Sequence, residues 1–182
     1  GGKGFCPTET TVEGDYSGAS FYAALNTLGG NVNILGLRED SLQGDKIYEK
    51  HFALLEQGIP TVHIGDCPDL GPVLFAVASA KYGGVFNGTS RLRFKESDRA
   101  SAMAEELKKF GVSVAVHEDS VVVYPVEFHS PSEPLYGHND HRIVMSLAVL
   151  LTLTGGIIEG AEAISKSFPH FFEGLSSLGI EV

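Results

Sequence analysis

Nine consecutive residues, Arg91 to Arg99, hold four of the thirteen lysines and arginines of this 182-residue chain. Apolar residues then recur at positions 100, 103, 104, 107 and 110, the spacing of one face of an α-helix. Cations thus stand at a predicted helix start, where the macrodipole favours anions. Exposed amides with lysine and arginine suit a phosphate or carboxylate ligand, and Glu96 and Asp98 can add acid–base chemistry. A solvated, charged helix start is the alternative interpretation.

Two other predicted helix starts have a cation near them. Arg142 follows Asn139-Asp140-His141, and Lys166 lies at the start of the last predicted helix. If these helix starts converge at one end of the fold, Arg99, Arg142 and Lys166 form an electropositive pocket in an otherwise acidic protein. Three unrelated surface cations are the alternative.

Two carboxylates are candidates for proton transfer beside this pocket. Asp69 follows Pro68, where it is either a helix N-cap or a base that takes a proton from a substrate hydroxyl. Glu96 is the second candidate. We predict no metal site, because the spacing of His129, His138 and His141 fits no zinc pattern and no cysteine lies near them. We also find no glycine-rich loop of the kind that binds nucleotide phosphates.

The composition is that of a soluble globular protein, with 43% hydrophobic and 20% charged residues. The net charge of −10 argues against nucleic acid or an anionic membrane as a partner. Cys6 and Cys67 are predicted to be reduced thiols of a cytoplasmic protein. The apolar stretch from Ile143 to Ile158 is too short and too polar to span a bilayer. Because the chain starts with Gly-Gly-Lys-Gly, we expect a processed chain or a piece of a longer one.

A repeated pattern predicts how the elements are arranged. Each of three segments has an aspartate, an apolar helix, a Gly-Gly pair, a short strand and a second helix. Asp15, Asp69 and Asp140 precede the first glycine of the pair by 14, 14 and 15 residues. We therefore predict one α/β domain of repeated βαβαββ-type units, packed around a pseudo-threefold axis. The repeats span about 12–66, 67–125 and 138–182.

Periodicity and turn residues locate the elements within these repeats. Helices are predicted over 15–28, 42–57, 69–80, 97–110, 140–153 and 166–178. Strands are predicted over 32–34, 61–64, 85–86, 112–116, 121–124 and 157–159. The fourth and fifth of these strands form a hairpin, and 125–139 is a loop because it contains three prolines.

Six motifs, in order along the chain, resemble those of the EPSP synthase (3-phosphoshikimate 1-carboxyvinyltransferase) family. They are Val12-Glu13-Gly14-Asp15-Tyr16-Ser17-Gly18-Ala19, Asp40-Ser41-Leu42-Gln43-Gly44-Asp45, Cys67-Pro68-Asp69-Leu70, Lys95-Glu96-Ser97-Asp98-Arg99, Asn139-Asp140-His141-Arg142 and Lys166-Ser167-Phe168-Pro169-His170-Phe171-Phe172. The resemblance implies an enolpyruvyl transferase fold of the inside-out α/β barrel type, in which this chain is one of two domains.

The resemblance also implies an activity in aromatic amino-acid biosynthesis. The enolpyruvyl group of phosphoenolpyruvate is transferred to the 5-hydroxyl of shikimate 3-phosphate, phosphate is released, and no cofactor is needed. Asp69 matches the proton acceptor and Glu96 the residue that protonates the phosphoenolpyruvate methylene. Lys95 matches a shikimate-phosphate contact. The cations that hold phosphoenolpyruvate are matched by Arg99, Arg142 and Lys166.

Family members are more than twice this length, so we expect a fragment that lacks the other domain. Such a fragment would carry half the active site and be inactive alone. The first repeat is shortened between Glu56 and Asp66, where family members usually have an extra pair of strands, and Arg91 is assigned no substrate contact. Two alternatives remain: an enolpyruvyl transferase that acts on UDP-N-acetylglucosamine, and a non-catalytic anion-binding domain of the same fold.

Overall fold

The helices that carry the candidate site residues also form the buried centre of the protein. The computed structural model describes residues 4, 9 and 11–182, so Cys6 lies outside the described residues. The α-helices are α1 (Tyr16–Thr27), α2 (Tyr48–Leu55), α3 (Gly71–Ala80), α4 (Arg99–Lys109), α5 (His141–Thr154) and α6 (Phe171–Ser177). Short 3-10 helices span Gly44–Ile47, Pro68–Leu70, Ser90–Phe94 and Ala161–Lys166.

Helix α3 is buried from Gly71 to Ser79 and packs against α1, α2, α4 and α5. It is apolar on all sides, as expected for a helix surrounded by protein. Helix α5 is buried from Ile143 to Leu150 and has its most extensive contact with α3. The start of α5 and the 3-10 helix before α3 are therefore held by the core.

Two small sheets flank these helices. The strands are β1 (Thr61–His63), β2 (Gly84–Asn87), β3 (Val114–Val116), β4 (Ser120–Val123), β5 (Leu135–Tyr136) and β6 (Ile158–Glu159). The larger sheet has the order β1-β2-β4-β3, in which β1 and β2 are parallel and the other neighbours are antiparallel. Strands β5 and β6 form a separate parallel pair. The α/β class and the β3–β4 hairpin agree with the prediction.

Aspartates cap three of the helices. Asp15 accepts hydrogen bonds from the amides of Ser17 and Gly18, and Asp140 accepts one from the amide of Arg142. Asp98 caps α4 in the same way. Asp69 differs, because it lies within the 3-10 helix Pro68–Leu70 and α3 begins two residues later with Leu70 as its N-cap. The interpretation of Asp69 as an N-cap is therefore wrong, and its carboxylate is available for other contacts.

Four predicted elements differ from the structure, and one of them is the helix 166–178, which is α-helical only from Phe171 to Ser177. Residues 32–34 form no strand, since the side chain of Asn26 makes both hydrogen bonds to the backbone of Val32 that a neighbouring strand would make. The predicted helix 42–57 starts as the 3-10 helix Gly44–Ile47 and becomes α-helical only at Tyr48. The predicted loop 125–139 contains β5, whose amides bond to the chain around β6.

No helix among the described residues is long and apolar enough to cross a membrane.

A glycine substitution tests the turn that joins α3 to β2. Gly83 has φ +82°, and a Cβ there would lie 2.4 Å from the carbonyl oxygen of Val123, which is backbone and cannot move aside. We expect Gly83→Ala to lower the free energy of unfolding by more than about 2 kcal/mol, because left-handed strain alone costs about 1–2 kcal/mol. Gly36→Ala is the matched control, since Gly36 has φ +84° and no atom within 4 Å of the added Cβ. Equal losses in urea unfolding would contradict the steric argument.

Candidate active site

Several element starts converge on a polar cavity of about 440 Å³. It lies where the start of α1, the 3-10 helices Gly44–Ile47 and Pro68–Leu70 and the start of α5 meet. The lining residues are Asp15, Ser17, Gln43, Gly44, Asp45, Asp66, Pro68, Asp69, Arg91, Lys95 and Arg142. A cavity of similar size, about 450 Å³, lies between α5 and α6, but its lining is mainly aliphatic and offers no paired charges for acid–base chemistry.

Arg99 is the centre of the ion-pair network at this cavity. Its side chain is only 1% exposed, and each of its three nitrogens meets a different carboxylate. Nη1 lies 2.7 Å from Asp69, Nη2 lies 2.5 Å from Glu96, and Nε lies 2.8 Å from the fully buried Asp140. Two of these carboxylates remain partly exposed, Asp69 by 33% and Glu96 by 40%. One buried cation therefore orients both proton-transfer candidates at the surface of the site.

Asp69 is in contact with three cations. Lys95 Nζ lies 3.0 Å from its Oδ1, Arg99 Nη1 lies 2.7 Å from the same oxygen, and Arg142 Nη2 lies 3.4 Å from its Oδ2. Burial by itself raises the pKa of Asp69, but the charges of Arg142, Lys95 and Arg99 outweigh it and lower that pKa below the usual value. The carboxylate is therefore ionised at neutral pH. An anion that enters the cavity can form contacts with the same cations.

Arg142 is held by the start of α1. Its Nη1 donates to the hydroxyl of Ser17, and it also approaches the backbone carbonyl of Asp69. Asp45 interacts with Ser17 from the other side, and burial raises the pKa of Asp45 despite that hydrogen bond and the nearby charge of Arg142. The guanidinium of Arg142 thus lies between α1, α5 and the loop before α3, facing the cavity.

Glu96 has a second neighbour besides Arg99. His141 Nδ1 lies 3.9 Å from Glu96 Oε1, and this buried nitrogen has no hydrogen-bond partner among the described residues. Burial and then the charge of Arg142 lower the pKa of His141, so the imidazole is neutral. Glu96 therefore has a guanidinium on one side and a neutral ring on the other.

The structure brings together five of the six predicted site residues but not Lys166. Asp69, Lys95, Glu96, Arg99 and Arg142 form one continuous network. Lys166 ends the 3-10 helix Ala161–Lys166 and does not begin a helix, because α6 starts only at Phe171. Its Nζ donates to the backbone and side-chain oxygens of Asn139, outside the cavity lining.

Three further residues of the site were not predicted from the sequence. Asp140 was noted only as a repeated aspartate before a helix, yet it pairs with Arg99. Ser17 accepts a hydrogen bond from Arg142, and Asp45 bonds to Ser17, although both lie far from Arg142 in sequence. A signal was present, since Ser17 and Asp45 lie within two motifs that carried the family resemblance, but periodicity alone gives them no role.

One group of possible metal ligands occurs among the described residues. Oxygen and nitrogen atoms of Glu105, Glu106 and His138 lie within 4.8 Å of one another. Lys109 Nζ is already 3.0 Å from Glu106 Oε2, so a cation of the protein itself neutralises this carboxylate. The group lies apart from the residues that line the polar cavity.

The buried Arg99–Asp140 pair makes stability depend on pH. Burial by itself raises the pKa of Asp140, but the hydrogen bond and charge of Arg99 outweigh it, so the folded-state pKa is below the unfolded value of about 3.9. The stabilisation is therefore complete above about pH 5 and is lost as the pH falls through the folded pKa. We expect Asp140→Asn to lower the free energy of unfolding by roughly 1.5–3 kcal/mol at pH 7.

Urea unfolding of wild type and Asp140→Asn between pH 7 and pH 3 measures this dependence. The difference between the two proteins should shrink below pH 4. A difference that stays constant across this range would show that the charge of Asp140 is not what stabilises the fold.

Comparison with known proteins identifies a family. The family model for EPSP synthase (3-phosphoshikimate 1-carboxyvinyltransferase) matches residues 1–175. The chain is 35% identical to the 3-phosphoshikimate 1-carboxyvinyltransferase of Clostridium kluyveri, with 100% of this chain and 47% of that protein aligned. It is 38% identical to the protein of the same name from Methanoregula boonei, with 92% of this chain and 44% of that protein aligned.

Two solved structures have a similar fold. EPSP synthase from Acinetobacter baumannii superposes with a TM-score of 0.76 at 23% identity, covering 93% of this chain and 46% of the other. The enolpyruvyl transferase NikO from Streptomyces tendae gives a TM-score of 0.61 at 16% identity, covering 94% and 44%. The α/β fold is therefore that of the enolpyruvyl transferases. This chain spans about half the length of the relatives that it matches.

Proposed function

The chain belongs to the EPSP synthase family, and from this premise we propose that it forms one wall of a site that transfers enolpyruvyl from phosphoenolpyruvate to the 5-hydroxyl of shikimate 3-phosphate. The observation that carries the proposal is the arrangement around Arg99. This single buried guanidinium holds Asp69 and Glu96, while Lys95 and Arg142 contact Asp69 from the cavity side. Asp69, Lys95 and Arg142 line the cavity, and Arg99 links them to Glu96, a network that suits a reaction of two phosphorylated substrates.

Binding of anions explains why Asp69 is surrounded by cations. Phosphate and carboxylate groups entering the cavity can take over contacts that Lys95 and Arg142 now make with Asp69. Asp69 then becomes a better proton acceptor, because the charges that lower its pKa are shared with the substrates. The whole chain has a net charge of −10, and three of its thirteen lysines and arginines, Arg91, Lys95 and Arg142, line this cavity beside four aspartates.

The chemical steps use the two carboxylates in different roles. Asp69 takes the proton of the substrate hydroxyl while that oxygen forms a bond to C2 of phosphoenolpyruvate. The C2=C3 electrons take a proton from Glu96, which gives a tetrahedral adduct with a methyl group at C3. Loss of a methyl proton to a carboxylate then re-forms the double bond as the C2–O bond to phosphate breaks, and phosphate leaves with that electron pair. The cations around Arg99 stabilise the leaving charge.

We also propose what covers the site, how Lys166 takes part and which compartment suits the protein. Asp69 and Glu96 remain partly exposed, and the relatives are about twice as long, so a region corresponding to their remaining half is proposed to cover this face. Lys166 is proposed to contact phosphoenolpyruvate beside the turn at Asn139, to which it donates in this structure. A reducing compartment such as the cytoplasm suits Cys67, a free and buried thiol.

Ligand titration of the 182-residue polypeptide tests the proposal. We expect calorimetry to show binding of shikimate 3-phosphate and phosphoenolpyruvate that weakens as salt is raised. Arg142→Ala should weaken it about tenfold or more, as expected for a charge-assisted hydrogen bond. Arg93→Ala is the matched control, since Arg93 is exposed and donates to the His117 carbonyl, away from the cavity.

The other outcomes favour other functions. Tighter binding of UDP-N-acetylglucosamine than of shikimate 3-phosphate would indicate the other transferase activity. Equal affinity for inorganic phosphate and for both substrates would indicate a non-catalytic anion site. Binding that Arg142→Ala leaves unchanged would place the ligand elsewhere and contradict the proposal.

A further inference from the structure

Glu106 is a fully buried carboxylate that the proposed chemistry does not use. It lies on α4, two helical turns after Arg99, with a side chain that is 0% exposed. Each of its oxygens faces donors: Oε2 accepts from the Tyr136 amide at 2.8 Å and from Lys109 at 3.0 Å, and Oε1 lies 2.9 Å from His138 Nε2. A buried charge needs such partners, and two of these three donors belong to the segment that leads into α5.

That segment contains an unusual backbone turn. His138 and Asn139 have φ +49° and +53°, and among the described residues no other non-glycine residue has a positive φ. This left-handed conformation costs roughly 1–2 kcal/mol per residue, so it persists only where other contacts enforce it. Glu106 holds the first of the two residues, and Lys166 holds the second through its carbonyl and side-chain oxygens. The turn is thus anchored from both sides.

The residue after the turn is Asp140. Its amide donates to the carbonyl of Gly137 at 2.9 Å, so the turn determines where Asp140 lies. Asp140 in turn accepts from Arg99 Nε at 2.8 Å and from the Arg142 amide at 2.9 Å. Helix α4 therefore contacts Asp140 twice, directly through Arg99 at its start and indirectly through Glu106 and the turn.

We propose that Glu106 and His138 are positioning residues, whose hydrogen bond keeps the 138–139 turn left-handed and so places Asp140 against Arg99. The inference deepens the proposed function, since Arg99 orients Asp69 and Glu96. When the turn is released, Asp140 can move away from Arg99. The guanidinium then loses its contact with Asp140, the only one of its three carboxylate partners that is fully buried. The carboxylates at the cavity would keep their charge but lose their fixed geometry.

The NMR signal of the Arg99 Nε–H group reports this contact without any substrate. In the 15N-labelled 182-residue polypeptide, this group is buried and hydrogen-bonded to Asp140, so its proton should exchange slowly with water. The signal is assigned by its absence in Arg99→Lys. In His138→Ala, which removes the donor from a partly exposed side chain, we expect about tenfold faster exchange, the change that loss of one hydrogen bond produces.

Two further variants separate positioning from general stability. His138→Gln keeps an N–H donor and should restore most of the slow exchange. Glu106→Gln replaces one acceptor oxygen by a donor amide that faces another donor, so it should speed the exchange as His138→Ala does. Glu118→Gln, an exposed carboxylate outside this cluster, is the control and should leave the exchange unchanged.

An Arg99 signal that stays at the wild-type position and exchange rate in His138→Ala and Glu106→Gln would overturn the proposal, even if both variants melt at lower temperature. Such a result would assign Glu106 a stabilising role only. Because this measurement uses no substrate, it stands whether or not the chain acts on shikimate 3-phosphate. In an active enzyme the same variants should lower kcat more than they raise KM. If the proposed function is wrong, only this kinetic prediction fails, and the NMR prediction is unaffected.

Discussion

Replacing Glu96 by Gln should lower kcat by about 10²- to 10⁴-fold, the range that general acid–base catalysis contributes. The amide keeps a side chain of the same shape beside Arg99 but cannot deliver the proton that phosphoenolpyruvate C3 requires. Asp69→Asn should have an effect of similar size, since it removes the acceptor of the hydroxyl proton. KM should change little in the Glu96 variant, because Lys95 and Arg142, which we propose to bind the anionic groups, line the cavity and are unchanged.

A hybrid enzyme makes this measurement possible. In it, residues 1–182 replace the aligned 47% of the Clostridium kluyveri relative. Steady-state phosphate release gives kcat and KM for the hybrid and its variants. Glu118→Gln, an exposed carboxylate in the β3–β4 turn, serves as the control. A Glu96→Gln hybrid that keeps more than a third of the parental kcat would remove Glu96 from the chemistry.

Arg99→Ala should be among the most destabilising substitutions in the chain. It leaves Asp140, 0% exposed, as a buried carboxylate without its main cation. Breaking a buried pair from one side typically costs about 3–5 kcal/mol, and we expect the free energy of unfolding in urea at pH 7 to fall by that amount. The exposed Arg93→Ala should change it by less than about 0.5 kcal/mol.

A second variant separates the charge from the lost volume. Arg99→Met combined with Asp140→Asn removes both buried charges and fills much of the space, so it should recover part of the loss. A loss below about 1 kcal/mol in Arg99→Ala, or no recovery in the double variant, would mean that this ion pair does not hold α4 against α5.

The local pattern predicted the helices α1, α3, α4 and α5 and the β3–β4 hairpin to within a few residues, because burial in the core favours the same apolar pattern. Helix α5 shows this agreement: an aspartate cap, an apolar run and Gly155 at the end all appear in the structure where they were expected. The strand at 32–34 failed because strands need a partner. Asn26 satisfies that backbone instead, and no local propensity reveals such a contact.

The sequence predicted which charged residues form the site but not which of them contact one another. Cations at helix starts, against the dipole rule, predicted Arg99 and Arg142 as neighbours, and both contact Asp69 in the structure. The same rule failed for Lys166, because a 3-10 helix ends there and α6 begins later. Asp140 was missed as a partner of Arg99 because the repeat indicated only that it precedes a helix, whereas its carboxylate both caps α5 and pairs with Arg99. The three-repeat arrangement around a pseudo-threefold axis stays a prediction.

The central claim is that these residues form one wall of an enolpyruvyl transfer site that acts on shikimate 3-phosphate. The most direct test is phosphate release from phosphoenolpyruvate by the folded hybrid enzyme, with shikimate 3-phosphate or UDP-N-acetylglucosamine as acceptor. We predict release with shikimate 3-phosphate only, and none from the 182-residue polypeptide alone, whose site face is open. Release with UDP-N-acetylglucosamine instead, or release by the isolated polypeptide at the rate of the hybrid, would contradict the claim.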